Sequence, residues 1–213
     1  MIFTARNMLK VFIQALCMQR LVFKFSAGKK CIYLTFDDGP DPVYTSRVLE
    51  ILRDNNVKAS FFLVGEKIDS HADIAMQIAR SGHALAGHTY EHKVITEMTR
   101  QEIRTDLART RACIKNTTNV DTVLFRPPRG KMNFVNILSA ILHGYRVIHW
   151  SVTYSDYRKD SLERLVATMR NIKLRDGDIL LLHDNNQYTV DALDGLIKSV
   201  KNQGYDLCAL PQN

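Results

Sequence analysis

The sequence predicts an α/β fold, a distorted (β/α) barrel of about seven parallel strands with a TIM-barrel-like layout. Two observations support it. From residue 28 onward, short apolar segments alternate with segments of helical periodicity, and chemically reactive residues follow five of the apolar segments. A doubly wound open sheet would give the same alternation. It would, however, spread those reactive groups along one long edge, whereas a barrel brings strand ends together, so we favour the barrel.

Seven apolar segments are predicted as strands: 31–36, 57–64, 83–87, 122–125, 145–150, 178–182 and 205–209. Six helices are predicted between them: 46–55, one beginning at Ser70, one beginning at Thr99, 133–143, 161–173 and 189–202. Two of these helices have the pattern of a capping box at their start: Ser70 with Asp73, and Thr99 with Glu102.

Length and composition indicate one globular domain, which we assign to residues 28–213. The chain has 213 residues, of which 46% are hydrophobic, and this is enough to bury a core. The net charge is +7, but the lysines and arginines are scattered and form no basic run. Nucleic acid is therefore not expected as a partner.

Residues 1–27 form an N-terminal segment with three interpretations. Arg6 and Lys10 precede an apolar run, 11–18, that is too short to span a bilayer. Gln14 interrupts the run and no cleavage site follows closely, so we favour an extension packed on the domain over a secretion signal. Contact with a membrane surface is the third interpretation. A cytoplasmic location is favoured over a secreted or membrane-associated one mediated by residues 1–25.

The four cysteines do not indicate a metal site. They are Cys17, Cys31, Cys113 and Cys208, and none belongs to a Cys-x-x-Cys pair. Because Cys31 and Cys208 lie in predicted strands, we expect both to be buried thiols.

Five polar motifs end or follow predicted strands: TFDDGP at 35–40, HTYEH at 88–92, RPPRG at 126–130, the segment 150–156, and LLHD at 181–184. His88 and His92 are four residues apart, which would place both rings on one face if the segment is helical. Together with the carboxylate of Asp38 they make a set that leaves a position open for water, as catalytic zinc requires. The same set also suits non-haem iron.

The other motif residues have both ordinary and chemical interpretations. Asp37 and Asp38 could belong to a simple Asp/Gly/Pro turn, or both could reach a site from the end of a strand. Arg126 could be a surface arginine, or could hold a carboxylate through its planar donors. His183 could be a core histidine bonded to a carbonyl, or a proton donor that titrates near neutral pH.

Taken in order, these motifs resemble the NodB homology domain of the polysaccharide deacetylases, the fourth family of carbohydrate esterases. The resemblance covers residues 32–184. It implies a distorted (β/α) barrel that removes acetyl groups from sugars of the N-acetylglucosamine type and, less often, O-acetyl groups from other glycans. The expected partner is therefore an acetylated glycan.

The resemblance also implies a role for each motif residue. Four residues would transfer protons or support that transfer: Asp37 as the base, His183 as the acid, Arg126 to orient Asp37, and Asp156 to tune His183. Three would bind one divalent metal ion: Asp38, His88 and His92. Three would contact the sugar: Arg129, Tyr157 and Leu181. Zn²⁺ is the first candidate for the ion, with Co²⁺, Ni²⁺, Mn²⁺ and Fe²⁺ as alternatives, and a main-chain N–H near Arg129 would help hold the oxyanion.

The chain departs from the family pattern at three positions. The family usually has Tyr in place of Arg129, often Asp in place of Thr153, and usually Trp in place of Tyr157. These departures bear on substrate preference more than on catalysis. Two alternative functions stay open, an inactive glycan-binding domain on the same fold and a deacetylase of lipid-linked sugars. A binding module needs neither an acid nor a base, so the presence of both Asp37 and His183 favours an enzyme.

Overall fold

A curled sheet of parallel strands organises the computed structural model, which describes residues 19–26, 28–158 and 161–212. The predictions made for Arg6, Lys10, Cys17 and the run 11–18 lie outside these residues. Nine strands occur within them: β1 Leu21–Val22, β2 Cys31–Asp37, β3 Ser60–Leu63, β4 Ala84–Gly87, β5 Leu124–Phe125, β6 Arg146–Ile148, β7 Val152–Thr153, β8 Ile179–His183 and β9 Asp206–Cys208. Their order in the sheet is β1-β6-β5-β4-β3-β2-β8-β7, and β9 also pairs with β2. Each paired strand runs parallel to its neighbour.

Seven α-helices have both ends among the described residues: α1 Tyr44–Asp54, α2 Gly65–Ser70, α3 Ala72–Arg80, α4 Arg100–Thr118, α5 Phe134–Leu142, α6 Leu162–Asn171 and α7 Gln187–Asn202. Short 3₁₀ turns occur at Ile95–Glu97, Pro128–Gly130 and Asp156–Arg158. Over the part of the chain that the structure describes, no helix has the length and apolar character needed to cross a bilayer.

The predicted fold class is confirmed, because parallel strands joined by helices curl into a distorted, partly open barrel. All seven predicted strands are present, and six predicted helices correspond to α1 and α3–α7. The helix α2 was not predicted. The strands β1 and β7 were also not predicted, and each of these two strands has only two residues. Two residues are too few for a period-2 pattern to be visible in sequence.

Alternation along β2 explains why a site forms inside the barrel. All seven of its residues are buried. Ile32, Leu34 and Phe36 pack in the large core between sheet and helices, whereas Cys31 and Tyr33 pack in a smaller cluster with the interior residues of other strands. Since successive side chains on a strand point to opposite faces, Thr35 and Asp37 continue the interior row at its carboxyl end.

The predicted capping box at Ser70 and Asp73 is wrong, whereas the one at Thr99 and Glu102 is confirmed. Thr99 accepts a hydrogen bond from the N–H of Glu102, whose side chain accepts one from the N–H of Thr99. Ser70 instead closes α2, and its hydroxyl donates back to the carbonyl of Glu66 at 2.9 Å. A serine that bonds within its own helix in this way is not available to cap the next one.

The prediction of buried thiols at Cys31 and Cys208 is also wrong, because the two residues form a disulfide. The cause is the pairing of β9 with β2, in which Cys208 is opposite Tyr33 and the Cα atoms of the two cysteines are 6.1 Å apart. A strand pairing across 177 residues leaves no local signal in the sequence. Among the described residues, Cys113 is the free cysteine.

Candidate active site

A cleft of about 440 Å³ opens at the carboxyl ends of the strands, where reactive groups collect in (β/α) barrels. Ten residues line it: Asp37, Asp38, His88, His92, Arg129, Trp150, Thr153, Tyr157, Leu181 and His183. Eight of these ten were predicted as site residues. The other two predicted residues, Arg126 and Asp156, contact lining residues and are themselves buried. All ten predicted residues are therefore brought together.

Asp37 ends β2 inside the barrel and is held by a buried arginine. The Arg126 Nη1 atom lies 2.6 Å from Asp37 Oδ1, and the two residues are 0% and 2% exposed. The ion pair is thus formed away from water, where charge-assisted hydrogen bonds are strong and directional. The pairing fixes one oxygen of Asp37, and Oδ2 lies on the side of His88, 3.7 Å from its Nε2 atom.

Arg126 follows β5 and uses its planar group to join three strands. Its Nε and Nη2 atoms donate to the carbonyls of Ile148 and His149, while Nη1 also donates to the Thr35 hydroxyl at 2.9 Å. Thr35 in turn donates to the Leu180 carbonyl at 2.6 Å. The guanidinium lies 3.9 Å from the centre of the Phe62 ring. Such a shared network leaves Arg126 little freedom to move away from Asp37.

Asp38 turns its carboxylate towards the same cleft because its backbone is left-handed, with φ 75°. This conformation breaks the alternation of β2, so that two successive carboxylates face one site. Lys67 Nζ donates to the Asp38 carbonyl at 2.6 Å and so supports the turn. Gly39 follows at a point where a Cβ atom would lie 2.3 Å from Oδ2 of the buried Asp184. A side chain at residue 39 would therefore displace the turn.

His88 turns its Nε2 atom towards the carboxylates of Asp37 and Asp38. Its Nδ1 atom lies 2.8 Å from the Arg126 carbonyl, and because a carbonyl only accepts, Nδ1 must carry the proton. Nε2 is therefore the ring nitrogen that would bind a cation, through its lone pair in the neutral ring. The ring is nearly inaccessible to solvent, with a side-chain exposure of 2%.

The segment that carries His88 and His92 is not helical, so the condition for a shared helical face is not met, yet the two rings converge. The segment is a loop in which Thr89 and His92 have positive φ angles of 59° and 55°. The ring centres lie 5.1 Å apart. The left-handed backbone of Thr89 and His92, and not a helical repeat, directs the loop so that His92 faces the site.

The donor set of Asp38, His88 and His92 fits a divalent cation. One ligand atom from each residue lies within 4.8 Å of the others. Asp38 Oδ1 is 3.5 Å from His88 Nε2 and 3.1 Å from His92 Nε2. Ligands of a tetrahedral zinc ion lie roughly 3.3 Å from one another. Although burial favours the neutral acid, the two histidines outweigh it and hold the pKa of Asp38 well below its ordinary value.

His183 ends β8 and is paired with the buried carboxylate of Asp156. Asp156 Oδ1 lies 3.0 Å from His183 Nδ1, and Oδ2 accepts from the His183 backbone N–H and from the Thr189 hydroxyl, both at 2.7 Å. Burial lowers the pKa of His183, but the hydrogen bond and charge of Asp156 outweigh it and, with Asp37 and Asp38, raise the pKa to about 9. With Nδ1 engaged by Asp156, Nε2 is the ring nitrogen left for the cleft.

The remaining lining residues form the walls of the cleft. The Tyr157 ring is 53% exposed and meets the His183 ring edge-on, with centres 5.7 Å apart. Leu181 is buried and supplies an apolar surface beside His183. Arg129 has a left-handed backbone with φ 58° and an exposed side chain. A positively charged side chain therefore stands on the rim of the cleft, in addition to the buried Arg126 inside the site.

Sequence reasoning assigned no role to three polar neighbours of the site. Thr35 joins Arg126 to β8, Thr189 bonds Asp156, and Asn185 Nδ2 lies 3.3 Å from Asp38 Oδ2. Thr35 lies inside the first motif, where its place in the interior row of β2 was a usable signal. Thr189 lies in the first turn of α7 and has no such signal.

Comparison with known proteins agrees with this geometry. Residues 24–148 match the family model described as polysaccharide deacetylase. The chain is 40% identical over 184 residues to a bifunctional xylanase/deacetylase of Pseudobutyrivibrio xylanivorans, and the match covers 84% of this chain but only 29% of that protein.

Two solved structures are similar throughout. A peptidoglycan N-acetylglucosamine deacetylase, in complex with 4-naphthalen-1-yl-N-oxidanyl-benzamide, superposes with a TM-score of 0.86 at 29% identity, covering 90% of this chain and 91% of that one. A pseudoenzyme of the fourth carbohydrate esterase family from Bacillus anthracis superposes with a TM-score of 0.83 at 28% identity, covering 89% and 67%. With a family model matched over more than half its length, the chain belongs to the polysaccharide deacetylase family.

Proposed function

We propose that this protein is a metal-dependent deacetylase that hydrolyses the acetamido group of N-acetylglucosamine-type sugars in a polysaccharide or oligosaccharide. One observation carries the proposal. Arg126 is buried and pairs with Asp37, the proposed base, and Asp156 is buried and pairs with His183, the proposed acid. Both pairs flank a cleft that also contains the donor set of Asp38, His88 and His92. Amide hydrolysis needs this combination, because a water molecule must lose a proton and a poor leaving group must gain one.

Asp37 is the group that removes the proton from the attacking water. Its Oδ1 atom is occupied by Arg126, so Oδ2 is the oxygen available to accept a proton. Arg126 holds the carboxylate fixed in direction, which a base in a buried site requires. Replacing the arginine would leave Asp37 as an unpaired buried charge.

His183 supplies the proton to the departing amine. Its pKa of about 9 keeps the ring protonated at neutral pH, and Asp156 stabilises that cation. The Nε2 atom faces the cleft while Nδ1 stays bonded to Asp156. As the amine leaves, it takes the proton from Nε2, and the ring returns to its neutral form.

A divalent cation would be held by Asp38, His88 and His92, and would supply charge that polarises the acetyl carbonyl and makes water easier to deprotonate. The hydrogen bond from His88 Nδ1 to the Arg126 carbonyl orients that ligand. Zn²⁺ is the first candidate, and Co²⁺, Ni²⁺, Mn²⁺ and Fe²⁺ are the alternatives. The main-chain N–H at Arg129 would bind the developing oxyanion, while Leu181 and Tyr157 would contact the acetyl group and the sugar.

Two similar proteins point to alternative functions. One is a bifunctional xylanase/deacetylase, which makes acetylated xylan a second substrate to test. Another is a pseudoenzyme, which makes an inactive glycan-binding domain the alternative from a different class. The chain retains the proposed base, the proposed acid and all three proposed cation ligands, and this favours an enzyme over a binding domain.

An acetate-release screen tests the proposal. Purified protein would be assayed against chito-oligomers, peptidoglycan and O-acetylated xylan, each with and without added Zn²⁺ or Co²⁺. His183→Ala protein is the matched control, because it lacks the proposed acid but keeps the cation donors. We expect metal-dependent release of acetate from the first two substrates. Release from xylan alone would replace the proposed substrate, and glycan binding without release from any substrate would overturn the proposal.

A further inference from the structure

The loop that joins His88 to His92 contains two residues whose backbone angles are unfavourable for non-glycine residues. Thr89 and His92 both have φ angles in the left-handed region. Thr89 is β-branched, and a β-branched residue with positive φ is a genuine outlier. Such a conformation persists only where the surrounding structure holds it. Tyr90 lies midway between the two histidines in sequence, and neighbouring helices bond both its N–H and its carbonyl.

The backbone of this loop is bonded from two helices. The N–H of Tyr90 lies 3.1 Å from both carboxylate oxygens of Asp106, which is on α4. On the other side, the first two N–H groups of α2 donate to the loop: Gly65 to the Thr89 carbonyl at 3.2 Å, and Glu66 to the Tyr90 carbonyl at 2.9 Å. The peptide between Thr89 and Tyr90 is thereby bonded at both its N–H and its carbonyl, and the peptide after Tyr90 is bonded at its carbonyl.

The side chain of Tyr90 is enclosed as well. The ring is 9% exposed and lies under the Arg109 guanidinium, whose Cζ atom is 3.3 Å from the ring centre. The hydroxyl donates to Asp69. A Cβ atom at Gly65 would lie 2.3 Å from a ring carbon, so the ring packs directly against the backbone of α2. Because its ring is enclosed, Tyr90 is held in one position. His88 and His92 lie two residues before and after it, so their backbone is held as well.

We propose that Asp106 and Arg109, acting through Tyr90, are positioning residues that set the affinity of the Asp38/His88/His92 site for its cation. The inference rests on the proposed function, because it assumes that these three residues bind a metal ion. Neither residue touches the donor atoms. Asp106 holds the strained backbone and Arg109 holds the ring, so that His88 and His92 converge on Asp38 before the cation arrives.

Zinc affinity, measured by competition with a chromophoric chelator, tests the role of Asp106. Asp106→Ala should weaken zinc binding by about tenfold or more, the usual scale for a residue that supports metal ligands. Asp106→Asn should restore affinity to within about threefold, because its amide oxygen still accepts the Tyr90 N–H. Thr99→Ala is the control, since it removes the cap of the same helix and should lower the melting temperature without changing zinc affinity.

A second pair of variants keeps the test decisive if Asp106→Ala does not fold. Arg109→Met and Arg104→Met each remove one exposed positive charge from α4, but Arg109 alone of the two lies over Tyr90. Arg109→Met should bind zinc more weakly than Arg104→Met. Equal affinities within that pair, or an Asp106→Ala affinity equal to that of the unmodified protein, would overturn the positioning role. Failure of the unmodified protein to bind Zn²⁺ or any of the alternative ions Co²⁺, Ni²⁺, Mn²⁺ and Fe²⁺ would instead overturn the proposed function.

Discussion

Replacing Asp156 by Asn should move the alkaline limit of activity to lower pH. The substitution keeps the size of the side chain but removes the negative charge 3.0 Å from His183 Nδ1. The pKa of His183 is about 9, against an ordinary value of 6.5. That difference corresponds to about 3 kcal/mol of stabilisation of the protonated ring. In the variant burial still lowers the pKa, and the main opposing charge is gone, so the pKa should fall to 6.5 or below.

The sign follows from the role of His183 as an acid. An acid acts while protonated, so activity is lost as pH rises through its pKa. At pH 7.5 a histidine of pKa 9 is about 97% protonated and one of pKa 6.5 about 9%, so the variant should be roughly tenfold slower at that pH. A bound cation would offset the contribution of Asp38, which places the limit of the unmodified enzyme between 6.5 and 9.

The assay is the pH dependence of kcat for acetate release between pH 5 and 10, with Thr189→Val as the matched control. Thr189 donates to the same carboxylate, and its loss leaves the negative charge in place. The control should therefore keep its alkaline limit or move it slightly upward, in the direction opposite to Asp156→Asn. An Asp156→Asn enzyme with an unshifted limit, or with a loss of rate that is equal at every pH, would refute the reasoning.

Three further predictions concern the other parts of the site. Asp37→Asn and His183→Ala should each lower kcat by roughly a hundredfold or more, the usual scale for one general base or acid, and a near-normal rate in either variant would reassign that role. Arg129→Tyr should change the relative rates on glycans with and without a nearby anion while zinc affinity stays constant, and an identical ranking would exclude a role in specificity. Chelation should abolish acetate release and zinc or cobalt should restore it, whereas full activity of demetallated protein would contradict a metal mechanism. Alanine at each proposed ligand should lower the metal content: Asp38, His88 and His92.

Much of the fold and the positions of the site residues could be predicted because both depend on local patterns. The strand that precedes Asp37 is a continuous apolar run, and its end is marked by a Gly-Pro turn. His183 likewise follows an apolar run. Once strands are assigned and taken to be parallel, their carboxyl ends must share one end of the barrel. This places seven of the predicted residues in one region without knowledge of a single contact: Asp37, Asp38, His88, His92, Arg126, Asp156 and His183. The other three, Arg129, Tyr157 and Leu181, were implied only by the family resemblance.

What could not be predicted are contacts across the fold and backbone conformations that break a repeat. The Arg126–Thr35 bond spans 91 residues, and the disulfide of Cys31 depends on a strand pairing across 177 residues. The approach of His88 and His92 was expected from helical spacing, yet it arises from left-handed residues in a loop. Positive φ at a threonine runs against the residue's own preference, so sequence propensity predicts the wrong local structure there.

The arrangement of charges is consistent with the proposal that Asp37 is a base and His183 an acid in the same cleft. Asp37 and His183 lie opposite each other on the adjacent parallel strands β2 and β8, whose separation is about 4.8 Å. Alone, a carboxylate and an imidazole so placed would pair with each other, and neither would be free for substrate. Arg126 binds Asp37 and Asp156 binds His183, each with a buried group of opposite charge. Asp37 is thereby held by Arg126, and the protonated form of His183 is stabilised chiefly by Asp156 and to a smaller extent by Asp37. His88 and His92 follow β4, which lies on the far side of β2 from β8. The proposed order across the cleft is therefore cation, base and acid.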